Sequence, residues 1–251
     1  MQMCYAGRKG TSRIGGQAMS GSFDHQGYLV FADALSGDDL GMLRDVCDQL
    51  LEEPPQDGGK GLHNIGLGEA RRFLRHRHAD FPALDEFVTS ERIDRIVRPC
   101  LGTDSMLFNE QFVVKGPGKG ASFAWHQDSA YVGFDHEPYL TVWMALDDTT
   151  EENGCVHLLP RNLATDPGID AHEWQEDSKE LNGYFGDDPG QPMVCPAGSV
   201  VAFSSRTLHR SGPNGTDRPR RAYIAQYSVE PIRNPESGDL KRFAKPVRRA
   251  A

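Results

Sequence analysis

The spacing of apolar positions predicts helices in the first part of the chain. Residues 23–31 end in an apolar run that predicts a first strand. Ser36, with Asp39 three residues later, is typical of a helix N-cap, and the helix should end before Pro54. The apolar face of this helix is formed by Leu40, Leu43, Cys47, Leu50 and Leu51. Two more short helices are predicted between residues 81 and 101 by the spacing of Leu84, Phe87, Ile93, Ile96 and Val97.

Strand-like segments then recur from residue 105 to residue 229, with turns of Gly, Pro, Asn and Asp between them. This pattern predicts a β-sandwich or β-barrel. Residues 164–192 interrupt it with many acidic side chains and a single lysine, Lys179. We expect this insertion to be partly helical and to lie beside the mouth of a site. It is either a solvated acidic face or a substrate lid.

The chain of 251 residues is long enough for one domain with a modest insertion. We place that domain at residues 23–235, after a disordered leader at 1–22 in which Met19 is a candidate natural start. A basic, mobile tail is expected at 236–251. The Gly-rich residues 56–64 are either a flap that faces the substrate or a solvated connector.

Charge and cysteine usage narrow the functional classes. A formal net charge of −9 argues against a nucleic-acid surface. No apolar run approaches the roughly eighteen residues that a membrane-spanning helix needs. The five cysteines are scattered and odd in number, which is typical of reduced thiols in a cytoplasmic protein. The pattern leaves open whether the protein is a monomer or a homodimer.

A candidate metal site follows the Gly-rich turn at 116–120. In a strand, His126 and Asp128 would point to the same face, which supplies two members of a facial triad of two histidines and one carboxylate. That ligand set suits non-heme Fe(II) and leaves positions open for chemistry. His78 and Asp80 have the same spacing, but they lie in a basic segment that would disfavour a dication.

His209 is the candidate third ligand, at the end of a buried strand that begins near Val200. Arg220 opens the next strand, and its planar guanidinium can bind a carboxylate through two hydrogen bonds. Strand alternation sends the competing Arg221 to the opposite face. We therefore expect Arg220 to bind the distal carboxylate of a 2-oxo diacid.

Several motifs in this order resemble the phytanoyl-CoA dioxygenase family of Fe(II)/2-oxoglutarate oxygenases. They are Trp-His-Gln-Asp at 125–128, Trp-Met-Ala-Leu-Asp at 143–147, the segment 152–160, Pro-Ala-Gly-Ser-Val at 196–200 and 209–214 with Arg220. The resemblance runs from about residue 108 to 227 and more weakly back to 23. One departure is local, because Pro-Arg-Asn-Leu at 160–163 replaces the usual Pro-Gly-Ser-His.

The resemblance implies a mainly β fold (α+β), a double-stranded β-helix of jelly-roll or cupin-like type with flanking helices on one sheet. It implies that His126, Asp128 and His209 bind Fe(II). It further implies that 2-oxoglutarate is bordered by Arg220, Gln127, Ser211, Trp143 and Lys115. A surface position for Lys115 and a purely core position for Trp143 remain alternatives. Tyr131 and Phe134 are candidates for shaping the substrate pocket.

The implied activity is hydroxylation of an unactivated C–H bond of a small metabolite, with O2 consumed and 2-oxoglutarate converted to succinate and CO2. Asp128 argues against a halogenase, which needs a vacant ligand position. Desaturation, cyclisation, epimerisation and acyl-CoA hydroxylation stay open, although the acidic insertion offers no basic patch for a CoA near the mouth. A cupin-like isomerase without 2-oxoglutarate and a non-catalytic scaffold are disfavoured by Arg220 and the triad.

Overall fold

A computed structural model describes residues 20–53, 71–118 and 121–250. The helices are α1 (Ser20–Gln26), α2 (Gly37–Glu52), α3 (Pro82–Val88) and α4 (Glu91–Leu101). Short 3-10 turns lie at His78–Asp80 and Asp128–Tyr131. The 56–64 flap or connector lies outside the described residues, as do residues 1–19 of the expected leader.

The described strands form two main antiparallel sheets and a hairpin. The first seven are β1 (Tyr28–Phe31), β2 (Arg71–Arg75), β3 (Met106–Lys115), β4 (Phe123–His126), β5 (Leu140–Ala145), β6 (Val156–Leu158) and β7 (Glu173–Gln175). The others are β8 (Glu180–Asn182), β9 (Gln191–Pro192), β10 (Val200–Ser204), β11 (His209–Ser211), β12 (Arg220–Ser228) and β13 (Lys245–Pro246). The larger sheet runs β1-β10-β5-β12-β3-β13, with β2 also on β3, and the smaller runs β4-β11-β6-β9.

Strand alternation assigns the two faces of the larger sheet. On β10, Val200 and Ala202 pack in the cluster that contains the helices, whereas Val201 and Phe203 pack toward the smaller sheet. On β12, Tyr223 belongs to the helix side by the same rule. The helices therefore cover one face of the larger sheet, and the space between the two sheets is left for a site.

The helical predictions hold where the sequence pattern was regular. Ser36 Oγ accepts a hydrogen bond from the backbone N–H of Asp39 at 3.1 Å, which confirms the predicted N-cap. Leu43, Cys47 and Leu50 are buried, as the predicted face requires. The two helices expected between 81 and 101 are α3 and α4.

The prediction for the first strand was wrong at its start. Phe23 lies in α1, and residues 20–22, assigned to the leader, belong to the same helix. The chain turns at Gly27, which has a φ of 78°. A Cβ there would lie 3.2 Å from the carbonyl oxygen of Arg161 and closer still to Thr207 Oγ1, so only glycine fits this turn. The strand therefore begins at Tyr28.

The insertion and the tail also differ from expectation. Residues 164–192 contain no described helix but hold the β7–β8 hairpin, with Lys179 at a φ of 55° in its turn. Proline and glycine lie at 167–168 and again between 183 and 192, and the residues between them pair as the hairpin instead of forming a helix. The basic tail is not a free end, because β13 pairs with β3 and Lys245 forms an ion pair with Asp85.

Candidate metal centre

Two neighbouring strands of the smaller sheet bring the candidate ligands together. His126 on β4 and His209 on β11 are direct cross-strand partners, and their ring centroids lie 4.1 Å apart. The sequence pattern predicted that Asp128 and His126 share a strand, and this prediction was wrong. Strand β4 ends at His126, and a 3-10 turn begins at Asp128. That turn carries its carboxylate back toward the two rings.

The three side chains converge on one point. Asp128 Oδ1 lies 3.8 Å from His126 Nε2 and 3.7 Å from His209 Nε2. One ligand atom from each residue lies within 4.8 Å of the others. Since bonds of about 2 Å to a shared ion place such atoms roughly 3–4 Å apart, the trio can hold one metal with small adjustments. His78 and Asp80, the other pair with this spacing, lie away from this point and line neither of the two cavities that adjoin it, which are described below.

The backbone sets the orientation of both histidine rings. Nδ1 of His126 lies 2.8 Å from the Ala124 carbonyl oxygen, and Nδ1 of His209 lies 3.0 Å from that of Thr207. Because a carbonyl only accepts, each Nδ1 carries the proton and each Nε2 presents its lone pair to the centre. Burial, reinforced by His209, also lowers the pKa of His126, which keeps that ring neutral and able to bind a metal.

Two cavities meet at this centre. The inner one, about 90 Å³, is lined by His126, Asp128 and His209 and reaches Arg220. The outer one, about 290 Å³, is also lined by His126 and Asp128 and opens between β2, β3 and the C-terminal segment. A metal held by the trio would thus face both spaces. We call them the inner and the outer cavity.

Arg220 is buried at the far end of the inner cavity. Its Nη2 donates to the Gly154 carbonyl oxygen at 2.9 Å, while Nε and Nη1 have no hydrogen-bond partner among the described residues. Burial lowers the pKa of this arginine to about 10. Buried donors without partners are costly, so this position fits a carboxylate ligand such as the distal group of 2-oxoglutarate.

Arg221 takes the opposite face, as alternation predicts. Its guanidinium pairs with Asp147 at 2.8 Å and with Asp48 of α2 at 2.8 Å. Its charge is therefore used on the helix side of the larger sheet. Of the two arginines, only Arg220 faces the inner cavity.

The other expected co-substrate contacts divide into three groups. Ser211 and Trp143 line the inner cavity, and Arg220 Cζ lies 5.7 Å from the Trp143 ring centroid. Lys115 is buried, so the surface alternative was wrong, yet it does not line the cavity. Its Nζ instead donates to Ser211 Oγ at 2.7 Å and to the Gly212 carbonyl oxygen. Lys115 therefore supports Ser211 from behind.

Gln127 lines neither the inner nor the outer cavity. Its amide donates to the carbonyl oxygens of Gly168 and Arg206, and its Oε1 accepts from the backbone N–H of Asp170 at 2.7 Å. Because Gln127 directly follows His126 in extended backbone, its side chain points to the side opposite to the His126 ring. Gln127 thus anchors the insertion beside the candidate metal ligands.

The outer cavity contains residues that the sequence did not single out. Tyr131 lines it as expected, but Phe134 does not. Arg75, Lys241 and Arg242 also line it, whereas the acidic insertion offered no basic patch. The sequence did not indicate this cluster because its residues come from β2 and from the chain end, which meet only in the folded protein.

Glu180 fixes the β7–β8 hairpin of the insertion over the outer cavity. One carboxylate oxygen forms a buried ion pair with Arg71, and the other accepts from the backbone N–H of Ala124 at 3.1 Å. Tyr131 Oη accepts from the backbone N–H of Leu181 at 3.1 Å. The insertion is therefore part of the cavity wall.

Two named proteins are similar to this chain in sequence. A 33% identical relative over 178 residues is a probable alpha-ketoglutarate-dependent hypophosphite dioxygenase from Stutzerimonas stutzeri. The match covers 64% of this chain and 59% of that protein. A methylphosphonate hydroxylase from Gimesia maris is 26% identical over 218 residues, with 82% and 78% covered.

A solved structure supports the fold. The protein EctD from S. alaskensis, crystallised with 2-oxoglutarate and 5-hydroxyectoine, superposes with a TM-score of 0.71 at 19% identity. The match covers 97% of this chain and 90% of that one. This likeness confirms the predicted jelly-roll fold. No helix in the described ranges is both long enough and apolar enough to cross a membrane.

The family itself is shown by a sequence model that matches most of the chain. The model for phytanoyl-CoA dioxygenase matches residues 23–222, which include all three candidate ligands and Arg220. The prediction of family membership is confirmed. The chain belongs to the phytanoyl-CoA dioxygenase family.

Proposed function

We propose that this protein is an Fe(II)- and 2-oxoglutarate-dependent dioxygenase that hydroxylates a C–H bond of a small organic molecule. The overall reaction converts substrate, O2 and 2-oxoglutarate to hydroxylated substrate, succinate and CO2. One observation carries the proposal: the His126, Asp128 and His209 ligand atoms lie where the two cavities meet, and the inner cavity ends at the unsatisfied donors of Arg220.

His126, Asp128 and His209 would hold the iron through two neutral imidazoles and one carboxylate. Such a ligand set would leave positions at the metal open for the co-substrate and for O2. Bound Fe(II) supplies the activation of O2 that couples decarboxylation of the 2-oxo acid to oxygen insertion. The two histidines come from adjacent strands and Asp128 from the turn that follows β4, which sets their spacing before a metal binds.

The residues of the inner cavity orient the co-substrate. Arg220 would receive the distal carboxylate through its Nε and Nη1 donors, and the Ser211 hydroxyl can donate to the same group. Trp143, Val156 and Phe203 form an apolar wall that excludes water from this end. A charge-assisted pair is stronger in such a dry site than at the surface.

The outer cavity is the place for the substrate. Its volume of about 290 Å³ lies at the small end of ligand pockets, which suits a small free metabolite better than a bulky acyl carrier. The substrate would reach the metal from the side opposite to Arg220. Phe73 and Phe123 line both cavities and would limit how far it enters.

The proposal is tested by Fe(II)-dependent succinate formation from 2-oxoglutarate, measured with a panel of small molecules. Asp128→Ala should abolish this activity without changing the thermal unfolding midpoint by more than a few degrees. Asp80→Ala is the matched control, because Asp80 has the same spacing from His78 but bonds only to Arg77 among the described residues. Full succinate production by the Asp128 variant at saturating iron would overturn the proposal.

A further inference from the structure

Three cationic side chains line the outer cavity. Arg75 comes from β2, and Lys241 and Arg242 come from the C-terminal segment just before β13. Alternation along β2 places Arg75 on the face between the sheets, whereas Arg72 points to the helices and donates to the Leu51 carbonyl oxygen. We call Arg75, Lys241 and Arg242 the cationic rim.

The side chains of the cationic rim donate hydrogen bonds to neutral oxygens. Arg75 Nε donates to Gln111 Oε1 at 2.9 Å, Lys241 Nζ to the Val132 carbonyl at 2.6 Å and Arg242 Nη1 to the Lys241 carbonyl at 3.0 Å. In the part of the chain that the structure describes, none of the three forms an ion pair with a carboxylate. Most of their donors remain for a ligand.

The two carboxylates that line the outer cavity do not neutralise the rim. The Oδ1 atom of Asp128 faces the histidines, and its Oδ2 atom accepts a hydrogen bond from the Thr141 hydroxyl. Glu180 is bound by Arg71 and by the Ala124 backbone. Burial and then the repulsion of Arg242 lower the pKa of Arg75, as expected for guanidinium groups that face each other without a counter-charge.

This arrangement is unusual for a chain with a formal net charge of −9, where anionic side chains are plentiful. Gathering three cations without carboxylate partners costs free energy through mutual repulsion. An anionic ligand would remove that cost. Two guanidinium groups can each donate two parallel hydrogen bonds, and the ammonium can donate to a third oxygen.

We propose that the cationic rim binds the dianionic oxyanion group of the substrate, of the phosphonate type, and so presents the neighbouring C–H bond to the metal centre. The inference rests on the proposed oxygenase function and names its substrate class. A tetrahedral dianion offers three oxygens and two charges to three cations, while a carboxylate offers two oxygens and one charge. The cavity volume limits the rest of the molecule to a few heavy atoms.

Binding can be measured without turnover by calorimetry on the full-length protein under anaerobic conditions. Fe(II) and saturating 2-oxoglutarate are present, so that Arg220 is occupied. The probes are methylphosphonate as dianion, acetate as monoanion and dimethyl methylphosphonate as neutral ester. We expect methylphosphonate to bind at least about 10-fold more tightly than acetate, and the neutral ester not detectably, since one lost charge-assisted contact corresponds to about a tenfold change.

Substitutions then locate the site. Arg75→Gln and Arg242→Gln should each weaken methylphosphonate binding by about 10-fold or more. Arg72→Gln on the other face of β2 and Arg248→Gln on the same tail, which pairs with Glu86, are the matched controls and should change it by less than about twofold. Affinity for 2-oxoglutarate should stay the same in all four variants.

The outcomes separate the two proposals. A wild-type protein that binds 2-oxoglutarate but binds the neutral ester as tightly as methylphosphonate overturns the inference about the rim and leaves the oxygenase function standing. Equal losses in the control and rim variants overturn it as well. A protein that fails to bind 2-oxoglutarate overturns the proposed function, and the same probes titrated without the co-substrate still decide the charge preference of the rim.

Discussion

The side-chain amide of Gln226 donates to Oδ2 of Asp128 at 2.9 Å, so the other oxygen of that carboxylate is left to face the two histidines. The Thr141 hydroxyl donates to the same Oδ2 at 2.5 Å. Both residues lie on the larger sheet, whereas the histidines lie on the smaller one. The metal centre therefore depends on how the two sheets are packed together.

Thr141→Val should weaken Fe(II) binding by about 10- to 100-fold, the usual effect of removing a group that orients a metal ligand. Valine keeps the shape of threonine, so the loss would come from the missing hydroxyl and not from a cavity. The measurement is an anaerobic titration of the purified variant with Fe(II), followed by calorimetry.

Thr149→Val is the control for this prediction. Thr149 is equally buried, but its hydroxyl donates to the Met193 carbonyl oxygen at 2.8 Å, away from the metal ligands. It should lower the free energy of unfolding by about 1–3 kcal/mol and leave Fe(II) affinity unchanged. If both variants lose iron equally, Thr141 acts through stability alone.

Arg220→Ala should raise the 2-oxoglutarate concentration needed for half-maximal activity by roughly 30-fold or more. Truncating one partner of a buried charged pair typically costs about 2–5 kcal/mol, and each 1.4 kcal/mol is about tenfold. Arg220→Lys should recover part of the loss, since an ammonium lacks the planar fork. Fe(II) affinity, measured separately, should change little because Arg220 is not a ligand.

Arg221→Ala separates co-substrate binding from stability. It removes the ion pairs with Asp147 and Asp48 and should lower the unfolding midpoint, but 2-oxoglutarate binding should be nearly unchanged. The reverse ranking of the two arginines in a 2-oxoglutarate titration would mean that β12 is shifted by one residue. It would then be Arg221 that faces the inner cavity.

The sequence was informative wherever a strand alternates regularly. On β12, the period of two that separates Arg220 from Arg221 also assigns Tyr223 to the helix side. The same period places Gln226 on the face of Arg220, six residues further along. This signal was available, but nothing in the sequence says that Gln226 meets Asp128, because the contact joins different sheets.

Long-range contacts explain the other failures. Gln127 follows the proposed metal ligand His126 in sequence, yet the insertion supplies hydrogen-bond partners that hold its side chain away from both cavities. The acidic insertion offered no basic patch, but Glu180 of that insertion is paired with Arg71, and the tail adds Lys241 and Arg242 to the cavity lining. Charge counted along the sequence cannot show which carboxylates are already paired.

Glu180→Ala should destabilise the protein by about 3–5 kcal/mol, because it removes the carboxylate of a buried ion pair. The β7–β8 hairpin should also become accessible to protease, since its contact with the Ala124 backbone is lost. Chemical denaturation and limited proteolysis measure the two effects.

Glu176→Ala provides the comparison on the same hairpin. Glu176 pairs with Lys179 at the surface, and such exposed pairs contribute about 0–1 kcal/mol. A Glu180 variant as stable and as resistant to protease as the Glu176 variant would show that the insertion is held by other contacts.

Lys115→Met should stabilise the protein more at low pH than at high pH. Burial, then Arg220 and Arg71, lower the pKa of Lys115 to about 6, whereas the ordinary value is 10.5. Between these values the unfolded chain holds a proton at Lys115 that the folded chain has released. Stability of the wild type therefore rises with pH across this window, and methionine removes the dependence.

The free energy of unfolding of Lys115→Met minus that of the wild type should be largest at pH 6 and below. It should fall by at most about 1.4 kcal/mol per pH unit toward pH 10.5, the limit for one proton. The lost hydrogen bonds to Ser211 and Gly212 add a constant that does not depend on pH. Urea denaturation at pH 6, 7.5 and 9 measures the slope.

Lys179→Met, at an exposed lysine, is the control, and its difference from the wild type should not change with pH. If the difference for Lys115→Met is also independent of pH, Lys115 stays charged in the folded protein.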